Sequence, residues 1–219
     1  MLIYLKKIRE QYSGPVRRRR ALLTLAVLLC AAAPAYSAPK TVLVLGDSLS
    51  AEYGLSRGSG WVALMEQRLR AQKIAATVVN ASISGETTSG GRSRLPALLQ
   101  KYHPAIVVIE LGANDGLRGL PVAAAEANLR NMGMQAHQAG SKVLLVGMRM
   151  PPNYGRDYAD KFFGMYGSLA QEIKAPLVPF MLDGVAEKSF QADRLHPLAD
   201  AHPAILGNIW PQLLPMLKK

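Results

Sequence analysis

The stretch Thr41–Ser50, TVLVLGDSLS, places a short apolar run directly before a small polar segment. The run is continuous Val and Leu rather than alternating, which is typical of a strand that is covered on both faces in a parallel sheet. In open α/β sheets, functional groups gather just beyond the carboxyl ends of the strands. Ser48 stands two residues past the end of this strand, so it is a candidate for chemistry.

Further apolar runs have the same character, and they alternate with segments of helical periodicity. Strands are also predicted at Ala76–Ala81, Ala105–Leu111, Lys142–Met148 and, in a run with two prolines, Pro176–Phe180. Helices are predicted at Trp61–Lys73, Ser93–Tyr102, Pro121–Gln138, Tyr158–Glu172 and Pro203–Leu217, the last interrupted by Pro211 and Pro215. This β-α-β alternation predicts one three-layer α/β/α domain with a parallel sheet.

Residues 1–38 differ in composition from the rest of the chain. They carry seven basic residues against one acidic residue, and Arg17–Arg20 precede an apolar run of thirteen residues at Ala21–Ala33. Because a bilayer span needs about 20 residues, this run favours a cleaved secretion signal, with cleavage after Ala35, Ser37 or Ala38. An uncleaved anchor is the alternative. We expect a mature domain of residues 39–219, without a stable membrane span, in the periplasm or secreted.

The basic character of the chain comes mainly from that leader. The net charge is +11, but no cluster of Lys and Arg with interleaved aromatic residues follows the leader, so no nucleic-acid partner is expected. The single cysteine, Cys30, lies in the leader, which leaves the mature domain without disulfide or thiol chemistry. No His, Cys and carboxylate set has metal-ligand spacing. We expect a monomer that binds a small molecule and needs no metal or cofactor.

Two serines near the first strand match hydrolase-like patterns. Ser48 stands in Gly-Asp-Ser-Leu-Ser, and Ser56 fits the G-x-S-x-G template of the α/β-hydrolase nucleophile elbow. That template requires a strand immediately before the serine, and no apolar strand precedes Gly54, so Ser48 is favoured as the nucleophile. The alternative is that Asp47 or Ser48 merely caps a following helix.

His196 is the preferred base among the four histidines. Asp193 precedes it by three residues in DRLHP, and a carboxylate in that position can accept the Nδ1–H of the imidazole and fix its tautomer. His202 has similar neighbours but is expected at the start of the terminal helix. His103 and His137 are expected to be structural or to face solvent.

Two polar segments after the second and third strands offer donors for an oxyanion. Gly85 can present an unobstructed backbone N–H, and Asn114 can present a side-chain amide. Each alone is as easily explained as a turn residue or a local cap. Together with Ser48 and His196 at one edge of the predicted sheet, they form a complete acyl-transfer site.

The chain resembles the SGNH (GDSL) hydrolase family over about residues 40–217. Four blocks carry the resemblance in order, namely GDSLS, NASISGETTSGG, LGANDGLRG and DRLHP, with RLPALL and MRMPPNYG as further points of similarity. It is most similar to the thioesterase I, lysophospholipase L1 and arylesterase branch. The resemblance implies a flavodoxin-like, five-stranded parallel sheet in the order 2-1-3-4-5. It also implies a Ser48-His196-Asp193 triad and an oxyanion hole from the N–H groups of Ser48 and Gly85 and the side chain of Asn114.

The implied activity is hydrolysis of acyl esters and thioesters, including lysophospholipids, through an acyl-enzyme. Substrate contacts are expected from Asp47, Asp115, Gly116, Leu117, Leu120, Asn153 and Tyr154. The loop Asp115–Leu120 is expected to move over a bound acyl chain. Glu86 follows the oxyanion glycine where relatives often carry Asp, and the residues around His196 also depart from the family pattern, so we expect an altered pocket wall there.

Three alternatives stay open at this point. A carbohydrate O-acetylesterase would use the same site. A non-catalytic, flavodoxin-like binding module would use the same sheet edge for a phosphate or nucleotide. A surface-interaction protein would be held to the membrane by its leader.

Overall fold

The computed structural model describes residues 39–218, which form a five-stranded parallel sheet flanked by six helices. The strands are β1 (Lys40–Gly46), β2 (Ala76–Asn80), β3 (Ile106–Glu110), β4 (Lys142–Val146) and β5 (Leu177–Val178). The helices are α1 (Trp61–Ala71), α2 (Thr88–Tyr102), α3 (Ala113–Leu117), α4 (Val122–Gln138), α5 (Arg156–Glu172) and α6 (His202–Lys218). The order β2-β1-β3-β4-β5, with every pair parallel, confirms the predicted fold class and topology.

The central strands are buried on both faces, as their continuous apolar runs predict. All side chains of β1 from Val42 to Leu45 and all of β3 are buried. α1 packs against α6 in one helical layer, while α2, α4 and α5 pack in a row in the other. Both layers cover apolar strand surface, and the carboxyl ends of the strands are left at one edge of the sheet.

Gly46 ends β1 at a point where no side chain fits. A Cβ at this position would lie 2.7 Å from Glu110 Oε2 on the neighbouring strand. The missing side chain lets the backbone of β1 pass close to this carboxylate. The next two residues, Asp47 and Ser48, therefore begin their turn directly beside β3.

Two helices differ from their predicted bounds. α2 begins at Thr88, five residues before the predicted start, because the Thr87 side chain accepts a hydrogen bond from the Gly90 N–H as an N-cap. α6 continues through Pro211 and Pro215, where an interruption was predicted. Each proline costs about 3 kcal/mol in a helix interior, but α6 buries eight side chains against the core, and that burial outweighs the cost.

The structure also contains a helix that the sequence did not predict. α3 covers Ala113–Leu117, inside a segment expected to be loop. The predicted signal, residues 1–38, lies outside the described residues. No helix in the described part of the chain combines the length and apolarity needed to cross a membrane.

Candidate active site

Ser48 lies in the turn that follows β1. The turn is held by the Asp47 backbone carbonyl, which accepts from the Ala51 N–H at 3.0 Å, and by Asp47 Oδ1, which accepts from the Leu49 N–H at 3.0 Å. The Ser48 side chain is thereby presented at the sheet edge, and its Oγ lies 2.8 Å from His196 Nε2. These two turn bonds join residues close in sequence, and the turn is also held from β3 by the bond of the Asp47 N–H to Glu110.

His196 and Asp193 form a compact pair within one turn of chain. His196 Nδ1 lies 2.7 Å from Asp193 Oδ2, while Asp193 Oδ1 accepts from the backbone N–H groups of Leu195 and His196 at 2.9 and 3.0 Å. The backbone bond from His196, and then its side chain, lower the pKa of Asp193 to about 2. Asp193 is therefore ionised at neutral pH, as an acid that orients an imidazolium must be.

The face of the His196 ring is covered by an aromatic side chain. The centroid of the Tyr53 ring lies 4.4 Å from that of His196, with the two planes tilted by 40°. Tyr53 comes from the turn after Ser48, so the loop that carries the serine also contacts the imidazole.

The three candidate oxyanion donors belong to the segments that follow β1, β2 and β3. Within residues 39–218, neither the Ser48 nor the Gly85 backbone N–H donates to a protein acceptor. Gly85 has a φ of +78°, a left-handed conformation that suits glycine, and its carbonyl accepts from Arg118 at 3.0 Å. The Asn114 amide donates to Asp47 Oδ2 at 3.1 Å and to the Glu86 carbonyl at 3.0 Å.

Two carboxyl groups are buried beneath the nucleophile turn. Asp47 and Glu110 are each 1% exposed, and Glu110 Oε2 accepts from Ser50 Oγ at 2.6 Å and from the Asp47 N–H at 3.3 Å. Burial raises the pKa of Asp47 to about 6, and burial together with the Asp47 charge raises the pKa of Glu110 well above its usual range. In the described residues, no three His, Cys, Asp or Glu side chains are arranged to hold a metal ion.

Glu110 was missed by the sequence reasoning. Its signal was a single acidic residue inside the apolar strand Ala105–Leu111, which the prediction treated as ordinary strand sequence. A carboxyl group is rarely buried without partners, so an acidic residue in such a run indicates a specific hydrogen-bonding task.

A cavity of about 330 Å³ opens beside Ser48 and His196. Its wall is mainly apolar and comes from the loops after β1, β3, β4 and β5; it includes Leu49, Leu117, Met148, Met150, Phe180, Leu182, Phe190 and Leu195. Two arginines also contribute, Arg149 and Arg194. The Arg149 guanidinium lies 4.3 Å from the ring centroid of Phe163 and 5.3 Å from that of Phe180.

The structure brings only some of the expected substrate-binding residues to this cavity. Asp47 and Leu117 line it, together with Ser48, Asn114 and His196. Asp115 does not, because both of its carboxylate oxygens accept from Thr88, from the N–H at 2.8 Å and from Oγ1 at 2.6 Å. The buried Asp115 carboxylate therefore links α3 to the first residue of α2.

The other expected contacts also lie off the cavity wall. Gly116 packs against the side chain of Met150, and a Cβ there would lie 2.3 Å from the Met150 sulfur. Leu120 and Asn153 are exposed. Tyr154 donates through its hydroxyl to the Leu117 carbonyl at 2.9 Å, so it contacts the backbone of a lining residue.

The two competing residues have structural roles. Ser56 is exposed in a loop that Glu52 closes by accepting from the N–H groups of Gly58 and Gly60, at 3.0 and 2.8 Å. His202 is 2% exposed at the start of α6, and its Nδ1 accepts from the Trp61 N–H at 3.0 Å. Trp61 is the first residue of α1, so His202 satisfies one of the N–H groups at that helix end.

Comparison with known proteins identifies relatives over almost the whole described domain. A model of the GDSL-like Lipase/Acylhydrolase family matches residues 44–204. Esterase TesA of Pseudomonas aeruginosa is 48% identical over 200 residues, which cover 90% of this chain and 100% of that protein. The protein named thioesterase 1/protease 1/lysophospholipase L1 of Escherichia coli strain K12 is 42% identical over 183 residues, 83% of this chain and 86% of that protein.

A solved structure gives the same result. The crystal structure of the psychrotrophic esterase EstA from Pseudoalteromonas sp., inhibited by monoethylphosphonate, matches with a TM-score of 0.78 at 38% identity. The match covers 82% of this chain and 100% of that chain. The sequence comparison and the fold comparison therefore both identify esterases as relatives.

Proposed function

The chain belongs to the GDSL-like lipase/acylhydrolase family and is an ester hydrolase, and from that premise we propose that Ser48, His196 and Asp193 form its catalytic triad. One observation carries the proposal. Ser48 Oγ, the two ring nitrogens of His196 and Asp193 Oδ2 are linked by contacts of 2.8 and 2.7 Å beside an apolar cavity.

In the acylation step, the neutral His196 donates its Nδ1–H to Asp193 and accepts the Ser48 hydroxyl proton at Nε2. As that proton moves, Ser48 Oγ forms a bond to the carbonyl carbon of the ester, and the carbonyl π electrons move to the oxygen. The ionised Asp193 stabilises the imidazolium that forms. Its pKa of about 2 keeps this carboxylate charged across the neutral range.

The developing oxyanion is stabilised by the Ser48 and Gly85 N–H groups and by the Asn114 amide. The first two donate to no acceptor within residues 39–218 and so are available to a substrate oxygen. Asn114 uses its amide for Asp47 and Glu86, at 3.1 and 3.0 Å, so one of these bonds must weaken when an oxyanion forms. A single donor of this kind contributes about 100- to 1,000-fold to kcat in serine hydrolases.

The first tetrahedral intermediate then collapses: the carbonyl double bond re-forms, the bond from the carbonyl carbon to the leaving oxygen or sulfur breaks, and His196 gives its proton to the alcohol or thiol that leaves. Water then enters, loses a proton to His196 and attacks the acyl-Ser48 ester, and collapse of the second tetrahedral intermediate restores Ser48 and releases the acid. Every proton that leaves Ser48 or water passes through His196 Nε2.

The cavity favours substrates with an aliphatic acyl chain. Its apolar wall, from residues such as Met150, Phe180 and Leu182, provides dispersion contacts to methylene groups and few hydrogen-bonding partners for sugar hydroxyls. We therefore favour acyl esters, thioesters and lysophospholipids over carbohydrate O-acetyl groups. Rates on acetyl, octanoyl and palmitoyl esters, and on the matching thioesters, would separate these classes, and a preference for acetylated sugars would contradict our choice.

The triad is tested by substitution of Ser48. We expect Ser48→Ala to fold and to lose hydrolysis of p-nitrophenyl butyrate by several orders of magnitude, and to lose labelling by a fluorophosphonate. The matched control is Ser56→Ala, an exposed serine eight residues away, which should keep both properties. Parent-like rates in Ser48→Ala would contradict the triad, and a folded parent that neither hydrolyses esters nor takes the label would favour a non-catalytic binding module.

Export is proposed from the sequence of residues 1–38 alone. The basic flank, the short apolar run and the small residues before Lys40 support a secretion signal and a periplasmic or secreted domain. The mass of the exported protein would show whether these residues have been removed, as expected, or retained as an anchor.

A further inference from the structure

Large apolar side chains are exposed at only six positions in residues 39–218, and five of them lie on loops that follow the carboxyl ends of β1, β2, β3 and β5. We call these five the apolar rim: Tyr53, Ile83, Leu120, Leu195 and Leu198. The sixth, Met134, lies on α4. Single exposed apolar residues are common on protein surfaces, but their concentration around one site indicates a binding surface.

Each residue of the apolar rim is tied to the site by contact or by short chain distance. The Tyr53 ring contacts His196, and Leu195 is part of the cavity wall. Leu198 follows His196 by two residues, Ile83 precedes Gly85 by two residues, and Leu120 follows the cavity residue Leu117 by three. These positions belong to four loops at the carboxyl edge of the sheet, which is the edge that carries the cavity.

Positive charge lies among the same loops. The exposed Arg118 is bonded to the Gly85 carbonyl, while Arg149 and Arg194 are exposed and contribute to the cavity wall. None of the three forms an ion pair with a carboxylate in the described residues. Two acidic side chains of the same loops have other partners: Asp193 contacts His196, and Glu52 accepts hydrogen bonds from backbone N–H groups.

We propose that the apolar rim and its three arginines dock the protein on the surface of an anionic phospholipid bilayer, with the cavity facing the lipid. The apolar side chains would enter the boundary between head groups and acyl chains, and the guanidinium groups would contact lipid phosphates. A cavity that takes an acyl chain is then placed where acyl chains are concentrated. The inference extends the proposed function, but the docking itself requires no catalysis.

A bilayer fits these observations better than a folded protein partner. The exposed apolar groups are distributed over four loops, whereas a helix or strand partner would need one continuous apolar groove. Charge supports the same choice, because the chain outside residues 1–38 has more basic than acidic side chains. An anionic surface attracts such a domain over a distance of about one Debye length.

The test uses residues 39–219, which form a compact unit of their own, so that the basic, apolar leader does not itself bind lipid. Ser48→Ala provides an unreactive background, and binding is measured by co-sedimentation with vesicles. One set of vesicles contains phosphatidylcholine alone, and the other an equimolar mixture of phosphatidylcholine and phosphatidylglycerol. We expect binding to the anionic vesicles, weakened by added salt, and much weaker binding to the neutral ones.

The matched substitutions are Ile83→Ser and Met134→Ser, which change residues of similar exposure, 51% and 49%. Ile83→Ser combined with Leu198→Ser should weaken vesicle binding by about tenfold or more, while Met134→Ser should have no effect. Neither rim residue belongs to the catalytic machinery, so hydrolysis of a soluble butyrate ester by the corresponding proteins that keep Ser48 should stay at the parent rate.

Three results would overturn the inference: no binding to anionic vesicles, equal binding to both kinds of vesicle, or equal loss in Met134→Ser. Failure of the parent protein to hydrolyse soluble esters would instead contradict the proposed function, and it would leave the vesicle result unaffected.

Discussion

Replacing Asp47 by Asn should make the folded protein more stable, relative to the parent, as the pH rises. Burial raises the pKa of Asp47 from its ordinary value of 3.8 to about 6, so the folded state favours the protonated carboxyl group. This favourable contribution is fully present below the unfolded pKa and is lost as the pH rises through the folded pKa. The difference between these two pKa values corresponds to a loss of about 3 kcal/mol in the free energy of unfolding at pH values above both of them.

The amide introduced by Asp47→Asn is neutral at every pH, so the variant does not lose this stability as the pH rises. The variant would also lose part of the hydrogen bonding to Leu49 and Asn114, which lowers its stability at low and high pH alike. Removal of the Asp47 charge also lowers the raised pKa of Glu110, which changes the stability difference in the same direction. Between about pH 4 and about pH 7.5, the free energy of unfolding of Asp47→Asn relative to the parent should rise by about 2 kcal/mol. Urea denaturation followed by the fluorescence of the buried Trp61 and Trp210 measures this quantity at each pH.

Asp193→Asn is the control of opposite sign. The pKa of Asp193 is lowered to about 2, so this carboxylate contributes stability above its unfolded pKa and loses it as the pH falls. Its exposure makes the effect smaller, but the variant should become less stable than the parent as the pH rises. A difference for Asp47→Asn that stays constant with pH, or that moves in the direction expected for Asp193→Asn, would refute burial as the cause of the Asp47 shift.

Two further predictions follow from the same site. His202→Ala should lower the free energy of unfolding by about 1–3 kcal/mol, because the buried Trp61 N–H loses its acceptor. The rate of ester hydrolysis by the folded variant should stay within a few fold of the parent. A loss of activity as large as that of Ser48→Ala would instead make His202 the base. Leu182→Trp, which fills the cavity, should reduce the rate on octanoyl esters far more than on acetyl esters. Equal losses on the two esters would show that the acyl chain binds elsewhere.

Most of the fold could be predicted because the central strands of the sheet are buried on both faces. Continuous Val, Leu and Ile in runs such as Val42–Leu45 are typical of strands covered in this way, and the helices between them have regular apolar periodicity. The missed helix α3 is five residues long and contains Asn, Asp and Gly, which are typical of turns. The early start of α2 combines the local Thr87 cap with a bond from the Thr88 N–H to Asp115, a residue far away in sequence.

The site residues divide in the same way, into those that the local sequence reveals and those whose role depends on contacts between distant parts of the chain. Asp193 and His196 could be paired from the sequence because they are only three positions apart, and Ser48 could be found because it follows a strand. The functional assignments of these three residues stay predictions, although the structure brings them into contact. Glu110 and Asp115 could not be interpreted in advance, because what each carboxyl group bonds is decided by the packing of β1, β3 and α2.

The local pairing of Asp193 with His196 has a consequence for how the site could be switched. Both residues lie in a short segment closed at its base, where Phe190 bridges Pro197 and the Gln191 N–H donates to the His196 carbonyl at 2.7 Å. Asp193 and His196 therefore lie on the same segment and would move together, whereas Ser48 lies on the turn that follows β1. Displacement of that segment would leave the contact between Asp193 and His196 intact but would separate His196 from Ser48 and from the Tyr53 ring, so the distance from His196 Nε2 to Ser48 Oγ distinguishes the assembled triad from the dismantled one.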